Sequence, residues 1–305
     1  MVRPVVSVVI PAFKQAKLIP ACLDSVAAQS FRGQVEVIVV DDGCPEGTGD
    51  VAARHPLRPL LVRQSNQGVA AARNAGMSRA TGRYVAFLDA DDQWLPDKLE
   101  IQVPQLERSA RPGLGFGQYF TIDESGTPLP GGIHPGRFGD ANAETLFQGN
   151  YIGCLTAIVD RRCLEDVGGF PVSKALQRGG QDYALWLRIA LRHPLFYAPH
   201  LVGKYVIHSK SRVGLDALKN FEGALNAIAA VWERDPELCR RVLSRPYATY
   251  VARQVRLVAR RLVSEREFDR GTWSRVARAA RSALTRDPSI HHASWPAPLT
   301  SEEST

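Results

Sequence analysis

Three carboxylates lie almost side by side in the chain, at Asp89, Asp91 and Asp92. They follow the apolar run of residues 84–88, which is typical of a buried parallel strand. Open α/β folds bind ligands at the carboxyl ends of such strands. Clustered carboxylates repel one another unless a cation or a hydrogen-bond donor lies against them. The cluster therefore indicates a divalent cation that holds a phosphorylated ligand. The alternative is a helix start, with Asp92 as the N-cap and the other two acids solvated.

The elements around this cluster alternate between strand and helix. Strands are predicted at residues 5–10, 35–40, 60–62 and 84–88, and helices at residues 18–29, 48–54 and 69–80. Strict alternation over residues 5–108 predicts parallel strands joined by helical crossovers.

The other three strands also end in polar residues or a turn, at Pro11, at Asp41-Asp42 and at Asn66-Gln67-Gly68. Because parallel strands place these ends on one edge of a sheet, we expect the groups to converge there. This regularity favours a binding edge over simple capping.

The second half of the chain has a less regular pattern. Strands are predicted at residues 115–122, 155–159, 196–197 and 204–207, with helices at residues 161–167 and from Gln181 onward. Residues 128–140 are rich in proline and glycine and are predicted to form a loop. From Leu215 onward the pattern is helical, and residues 289–305 lack periodicity, so we expect a flexible tail.

Composition places the chain among globular proteins, with 45% hydrophobic and 23% charged residues. Its five scattered cysteines form no CxxC pair, which disfavours a disulfide framework or a zinc site and suits a reducing cytosol. No apolar run reaches the about 18–20 residues of a membrane span. No signal peptide is expected before the first strand. We therefore expect a cytoplasmic protein.

The positive charge is concentrated near the C-terminus. The total is +7, but residues 240–286 hold 13 arginines and 3 acids, a net +10, so the rest of the chain carries −3. These arginines form either a solvated helix face or a surface for an anionic membrane that carries a lipid-linked acceptor. Nucleic acid is not expected as a partner, because no aromatic residues interleave with the arginines as a stacking platform would require.

Two common nucleotide-binding motifs are absent from the sequence. No GxGxxG follows the first strand and no GxxxxGK[ST] occurs anywhere. A dinucleotide-binding fold and a P-loop enzyme are therefore disfavoured.

Seven segments, in order and spacing, resemble the motifs of family-2 glycosyltransferases. They lie at residues 7–13, 22–30, 36–43, 66–76, 87–92, 167–170 and 181–188. The resemblance extends over roughly residues 5–210. It implies an α/β GT-A fold, with a mainly parallel twisted sheet flanked by helices, and a helical C-terminal extension.

The resemblance also implies a division of the chain. Residues 1–112 would be the nucleotide-sugar-binding half and residues 113–214 the acceptor-binding half of one GT-A domain. Residues 215–288 would be the helical extension and residues 289–305 the tail.

The implied activity is transfer of a sugar, with inversion, from a nucleotide-diphosphate donor to a hydroxyl acceptor. A UDP-sugar is the favoured donor, and a glycan, a lipid-linked sugar or a small molecule is the acceptor, in polysaccharide or glycoconjugate synthesis. Mn²⁺ or Mg²⁺ would neutralise the charge that develops on the leaving diphosphate.

Site residues follow from the resemblance, position by position. The nucleotide would be contacted by Pro11, Ala12, Phe13, Asp41, Asp42, Asn66, Gly68, Arg73 and Asp89. The metal would be held by Asp91, with Asp89 on the ribose or the metal and His208 as a further ligand. Lys210 and Arg212 could reach phosphate.

Asp182 matches the family's general base, which takes the acceptor proton as the hydroxyl attacks. As an acid in the first turn of a helix it would otherwise only stabilise the helix dipole, by about 0.3–1 kcal/mol. Gln181 replaces a usual glutamate, Lys14 a common asparagine and Cys44 a common serine. Because Gln181 replaces this glutamate, a non-catalytic nucleotide-sugar-binding protein stays an alternative. A nucleotidyltransferase is less expected, because the chain has no glycine-rich loop after its first strand.

Overall fold

The computed structural model describes residues 5–135, 140–177, 179–208, 217–264 and 270–285. Within these ranges, nine strands form one sheet in the order β3-β2-β1-β4-β8-β6-β9-β5, with β7 paired to β6. The strands are β1 Val6–Ala12, β2 Val35–Asp42, β3 Leu60–Gln64, β4 Tyr84–Phe87, β5 Gln93–Trp94, β6 Leu114–Asp123, β7 Pro128–His134, β8 Ile158–Asp160 and β9 Leu195–Ile207.

Helices cover both faces of the sheet and continue beyond it. They are α1 Ile19–Ala27, α2 Thr48–Ala53, α3 Val69–Met77, α4 Lys98–Glu107, α5 Ala143–Phe147, α6 Arg161–Val167, α7 Gln181–Arg192, α8 Ala217–Arg234, α9 Pro236–Val242, α10 Tyr247–Ser264 and α11 Arg270–Thr285.

The first four strands pair in parallel, as the alternating pattern predicts. Val6 of β1 is in register with Val35 of β2 on one side and with Tyr84 of β4 on the other. Every residue of β1 and of β4 is buried, because helices pack on both faces of the sheet there. The parallel register places the carboxyl ends of β1, β2 and β4 along one edge.

The remaining strands make the sheet mixed. β8 runs antiparallel to both β4 and β6, whereas β6 and β9 are parallel, and β5 is antiparallel to β9. This arrangement brings Ile207, at the end of β9, to the same region of the sheet as the end of β4, since β5 directly follows the acidic cluster in sequence.

The predicted loop at residues 128–140 is wrong for its first part. Residues 128–134 form β7, which is antiparallel to β6 and pairs His134 with Tyr119. Proline is tolerated because β7 lies at the margin of the sheet, where a strand need not donate every backbone N–H. Residues 136–139 lie outside the described ranges.

The strand predicted at residues 155–159 is shifted. Residues 154–156 form a 3-10 turn, and β8 begins only at Ile158. The Thr156 hydroxyl donates to the Gly153 carbonyl (2.8 Å), a local side-chain bond of the kind that competes with strand pairing. The Thr156 carbonyl in turn accepts hydrogen bonds from Lys98 and Gln102.

The helical C-terminal region is present and packs on the sheet domain. Tyr250 of α10 donates a hydrogen bond to Glu144 of α5 (2.7 Å), and Asp235 after α8 pairs with Arg188 of α7 (3.2 Å). Apolar residues of α8, α10 and α11 form a small core of their own. In the described part of the chain, no helix has the length and apolar character needed to cross a membrane.

Candidate active site

The acidic cluster follows β4, and its three members have different environments. Asp92 is buried, with 1% of its surface exposed, and accepts a hydrogen bond from the backbone N–H of Val206 (3.0 Å). Helix α4 begins later, at Lys98, with Asp97 at its N-cap position. The alternative in which Asp92 caps a helix is therefore wrong: Asp92 ties the acidic turn to β9.

Asp91 lies between two polar side chains from distant parts of the chain. Its Oδ2 atom is 2.9 Å from Nε2 of Gln15, in the loop after β1, and 2.9 Å from Nε2 of His208, directly after β9. The structure thus brings His208 to the carboxylate that the sequence analysis assigns to the metal. Lys210 and Arg212 lie outside the described residues.

The electrostatics of the cluster reflect burial of like charges. Burial raises the pKa of Asp91, and the neighbouring Asp89 carboxylate raises it further, while the hydrogen bond from His208 acts in the opposite direction. Burial, together with Asp91 and Asp89, also raises the pKa of Asp92 well above its usual range. An added cation would relieve this repulsion.

Arg73 of α3 supplies one positive charge to this edge. Its Nη2 donates to Oδ1 of Asp89 (2.6 Å), and its guanidinium lies over the Phe170 ring at 5.2 Å from the centroid. Arg73 is 4% exposed, and its Nε–H is buried without a hydrogen-bond partner. An orphaned buried donor beside an acidic edge is an available contact for a polar ligand.

Asp182 lies in the first turn of α7, a helix that begins immediately after Gly179 and Gly180. Gly180, with φ of +92°, is the residue before the helix, and the backbone N–H of Tyr183 donates to Oδ1 of Asp182 (2.8 Å). Loss of solvation raises the pKa of Asp182, and the nearby Arg73 guanidinium opposes that rise, whereas Asp89 adds to it. Asp182 is therefore electrostatically coupled to the Arg73–Asp89 pair.

Two of the recognised motifs meet at Phe170. The Asn74 side chain accepts from the Phe170 N–H and donates to the Phe170 carbonyl, each at 2.8 Å. The Phe170 ring packs edge-on against Phe87 of β4, 4.9 Å between centroids. These contacts fix the loop after α6 against the strand that precedes the acids.

The predicted nucleotide wall lies along the ends of β1 and β2. Pro11 and Ala12 are buried in β1, Phe13 follows them half-buried, and Asn66 is exposed beyond β3. These four residues lie at the same edge as the acids, and their contacts to a nucleotide stay predictions.

Asp41 and Asp42 are buried at the end of β2 and hold loops. Asp42 accepts from Gln64 (2.8 Å) and from the backbone N–H groups of Gln67 and Gly68 (both 2.9 Å). Asp41 accepts from the N–H of Cys44 (2.9 Å). If Asp42 contacts the nucleobase, as predicted, its carboxylate would do so in addition to accepting from these three donors.

The donor set fits a divalent cation. Asp91 and His208 present a carboxylate oxygen and an imidazole nitrogen 2.9 Å apart, close enough to reach one ion. Within the described ranges, no group of three or more His, Cys, Asp or Glu side chains is arranged as a complete metal cage. Mg²⁺ and related ions commonly take only one or two protein ligands, with substrate phosphates and water completing the shell.

Gln15 is the site residue that sequence reasoning did not identify. It donates to Asp91 from the loop that follows the predicted nucleotide-pocket segment, 76 positions away along the chain. The only signal in the sequence is the position of Gln15 just after the end of the first strand. A single glutamine at such a position does not indicate a functional role by its residue type.

The fold defines the class of the protein. The chain superposes on S. aureus TarS 1-349 in complex with UDP-GlcNAc with a TM-score of 0.64, at 15% identity and covering 94% of this chain and 89% of that one. It also superposes on the mannosyltransferase PcManGT of Pyrobaculum calidifontis, in complex with GDP-Man and Mn²⁺, with a TM-score of 0.59, at 20% identity, covering 94% of this chain and 89% of that one. The fold is therefore that of GT-A glycosyltransferases.

Sequence comparison defines the family. Residues 7–164 match the family model described as Glycosyl transferase family 2. Among the similar proteins is TuaG of Bacillus subtilis (strain 168), provisionally assigned to teichuronic acid biosynthesis, with 36% identity over 195 residues, 61% of this chain and 72% of TuaG. This protein belongs to glycosyl transferase family 2, as the seven segments predict, and it is a glycosyltransferase.

A further relative carries a defined acceptor in its name. The Escherichia coli UDP-Glc:alpha-D-GlcNAc-diphosphoundecaprenol beta-1,3-glucosyltransferase WfaP is 28% identical over 189 residues, which are 60% of this chain and 69% of WfaP. The chain also matches uncharacterized glycosyltransferases of Rickettsia, of whose length it spans only about a third.

Proposed function

We propose that this protein transfers a sugar, with inversion, from a nucleotide-diphosphate donor to a hydroxyl acceptor in polysaccharide or glycoconjugate synthesis. The observation that supports the proposal most strongly is the convergence on one sheet edge of the Asp91–His208 pair and the Asp89–Arg73 pair, with Asp182 coupled to the latter. Family membership favours this enzyme over a non-catalytic binding protein.

A divalent cation, Mn²⁺ or Mg²⁺, would be held by Asp91, with His208 as the second protein donor. When bound, such an ion neutralises charge on the leaving nucleotide diphosphate. The raised pKa of Asp91 reflects burial beside Asp89, so the ionised carboxylate is more favourable when positive charge is present. Gln15 holds the Asp91 carboxylate in place from the protein side, and His208 would exchange its hydrogen bond to Asp91 for the ion when a cation binds.

Asp182 is the proposed general base. Its raised pKa makes it a better proton acceptor than an exposed aspartate, while Arg73 keeps the ionised form accessible. Gly180 and the Tyr183 N–H fix the direction of the carboxylate at the start of a buried helix. In this arrangement Asp182 takes the proton of the acceptor hydroxyl as that oxygen attacks the sugar.

The donor is proposed to be a UDP-sugar. Support comes from TarS, whose structure contains UDP-GlcNAc, and from WfaP, whose name specifies UDP-Glc. The GDP-Man complex of PcManGT keeps GDP-sugars as the alternative. The orphaned Nε–H of Arg73 is a donor available to a polar group of the bound nucleotide sugar.

A thermal-shift screen tests donor and metal together. UDP-glucose, UDP-GlcNAc, GDP-mannose and a dTDP-sugar are each added with and without Mn²⁺. A ligand that binds only the folded state raises the melting temperature, by an amount that grows with its concentration over its Kd. We expect a shift with at least one UDP-sugar that is larger in Mn²⁺. No shift with any of the four in either condition would contradict the proposal.

A further inference from the structure

The outer surface of α10 and α11 is strongly cationic. The two helices contain eight arginines and no aspartate or glutamate. Five of these arginines are exposed, and we call them, with two exposed leucines among them, the arginine face: Arg253, Arg256, Leu257, Arg260, Arg278, Arg281 and Leu284.

Helical spacing places these residues in one stripe on each helix. In α10 the exposed residues recur at 253, 256, 257 and 260, while Val251, Val258 and Leu262 are buried on the opposite side. In α11 the exposed Arg278 and Arg281 lie opposite the buried Val276, and the exposed Leu284 lies at the margin of this stripe. The two helices pack on each other and on α8.

The arginines of the arginine face form no ion pair with the acidic side chains of the described residues. In the described part of the chain, the C-terminal arginines that form ion pairs are others, for example Arg245 with Glu144 and Arg275 with Glu222. Arg253 donates instead to the Gln148 carbonyl (3.2 Å). The field of the face therefore extends into solvent.

Exposed apolar side chains also occur in the C-terminal helices. Five large hydrophobic side chains are exposed in the described chain, and three of them follow α8: Val242 at 41%, Leu257 at 40% and Leu284 at 48%. A solvated helix face explains exposed arginines but not leucines between them. Arginines that flank exposed leucines are typical of helices that lie in the interface of an anionic membrane.

We propose that the arginine face binds the surface of an anionic lipid membrane. Arg253 and Leu257 lie against Gln148 and Gly149, and Gly149 is four residues before Gly153, which abuts the Tyr119 ring. Four extended residues span at most about 14 Å. The arginine face therefore adjoins the segment of residues 148–153, which reaches Tyr119 of β6. A lipid-linked acceptor at such a surface would suit the proposed function, on which this point rests.

Vesicle co-sedimentation tests the proposal without any enzyme activity. The full chain is incubated with phosphatidylcholine vesicles, with and without phosphatidylglycerol, at low and at high salt. We expect binding only when phosphatidylglycerol is present, weakened by salt because surface charges are screened. Equal binding to both vesicle types, or no binding to either, would overturn the proposal.

Four substitutions locate the surface. Arg256→Gln, Arg260→Gln, Arg278→Gln and Arg281→Gln together should weaken vesicle binding by about fivefold per arginine, hence by roughly two orders of magnitude or more. The matched control removes four exposed arginines elsewhere, with Arg32→Gln, Arg54→Gln, Arg79→Gln and Arg108→Gln, and so changes the net charge equally.

Retained binding in the control and lost binding in the first variant would support the arginine face. Equal loss in both would show non-specific attraction by net charge and overturn it. Leu257→Gln, which leaves the charge unchanged, should weaken binding most at high salt. Circular dichroism and the thermal shift with UDP verify that each variant is folded, so that a failure of membrane binding is distinguished from a failure of the proposed sugar transfer.

Discussion

Nε2 of His208 lies 2.9 Å from Oδ2 of Asp91, although the two residues are 117 positions apart in the chain. Asp91 follows β4, and His208 directly follows β9, after the chain has passed through five further strands. Asp92 reinforces the junction, because it accepts the N–H of Val206 in β9 (3.0 Å). The acidic turn is thus held from β9 by two contacts, one structural and one available to a metal.

Replacing His208 with glutamine tests its role directly. We expect Mn²⁺ affinity, measured by calorimetry in the presence of UDP, to fall by about 10- to 100-fold. Binding of UDP without metal should change little, because His208 donates to the proposed metal ligand Asp91. The control is His55→Gln, which removes a histidine that pairs with Asp24 elsewhere. Unchanged Mn²⁺ affinity would exclude His208 as a ligand.

Asp182→Asn should separate binding from catalysis. A positioned general base contributes about 10²- to 10⁴-fold, so sugar transfer should fall by that factor while the Kd of the UDP-sugar stays the same. The rate of the unmodified protein should also fall as pH drops below the raised pKa of Asp182, since only the ionised carboxylate accepts a proton. Full activity of the asparagine variant would remove Asp182 as the base.

Helix α8 supports Asp182 through a contact between glycines. A Cβ added to Gly223 would lie 3.0 Å from the carbonyl carbon of Gly179, and one added to Gly180 would lie 2.4 Å from the Gly223 oxygen. One turn further along α8, Asn226 donates to the Ala175 carbonyl (2.9 Å). The loop before α7 is therefore positioned by the C-terminal helical region.

Gly223→Ala should disturb this support. Overpacking at such a contact costs about 1–3 kcal/mol, partly offset by the higher helix propensity of alanine. We expect kcat to fall with the Kd for UDP unchanged, because the displaced group is Asp182 and not the nucleotide wall. Gly271→Ala, at an exposed position of α11, is the matched control and should leave kcat unaltered. An unaltered kcat in Gly223→Ala would show that α8 does not position the base.

Burial of the Lys98 amine should make the stability of the protein depend on pH. The buried amine donates to Gln102 and to the Thr156 carbonyl (2.9 Å), and burial lowers the pKa of Lys98 to about 7. Between pH of about 7 and the higher pKa that Lys98 has in the unfolded chain, the unfolded state binds more protons than the folded state. The free energy of unfolding should therefore rise with pH, by up to about 1.4 kcal/mol per unit from this group.

The comparison with Lys98→Met isolates this contribution. The methionine variant should lose that part of the slope in urea-unfolding measurements from pH 7 upward, whereas Lys17→Met, at an exposed position, should keep it. Identical slopes for Lys98→Met and the unmodified protein would show that Lys98 is not buried as a titrating amine.

Much of the acidic edge of the sheet could be predicted from local patterns. Apolar strands of four to eight residues, each followed by polar residues, specify parallel pairing, and parallel pairing brings Asp42, Asp89 and Asp91 to one edge. The position of Asp182 came from the family resemblance, since an acid in the first turn of a helix has no distinctive signal by itself. The predicted nucleotide contacts remain predictions.

The contacts that sequence reasoning missed are long-range. Gln15 meets Asp91, and Gly223 meets Gly180, only because helices and strands distant in the chain pack together. The loop prediction for residues 128–134 is wrong because proline and glycine indicate breaks in structure locally, whereas β7, which pairs with β6 at the margin of the sheet, tolerates them. In each case tertiary packing decided what composition could not.

The central claim, that the acidic edge is a metal-dependent glycosyltransferase site, is tested most directly by nucleotide release from the donor that gives the largest thermal shift. Release is followed in Mn²⁺, in EDTA, and with the Asp91→Ala variant, with Glu124→Gln as the control for loss of an exposed acid. We predict release by the unmodified protein and by Glu124→Gln in Mn²⁺, and loss of at least about 100-fold with EDTA or Asp91→Ala. Equal rates for Asp91→Ala and the unmodified protein in Mn²⁺ would contradict the account.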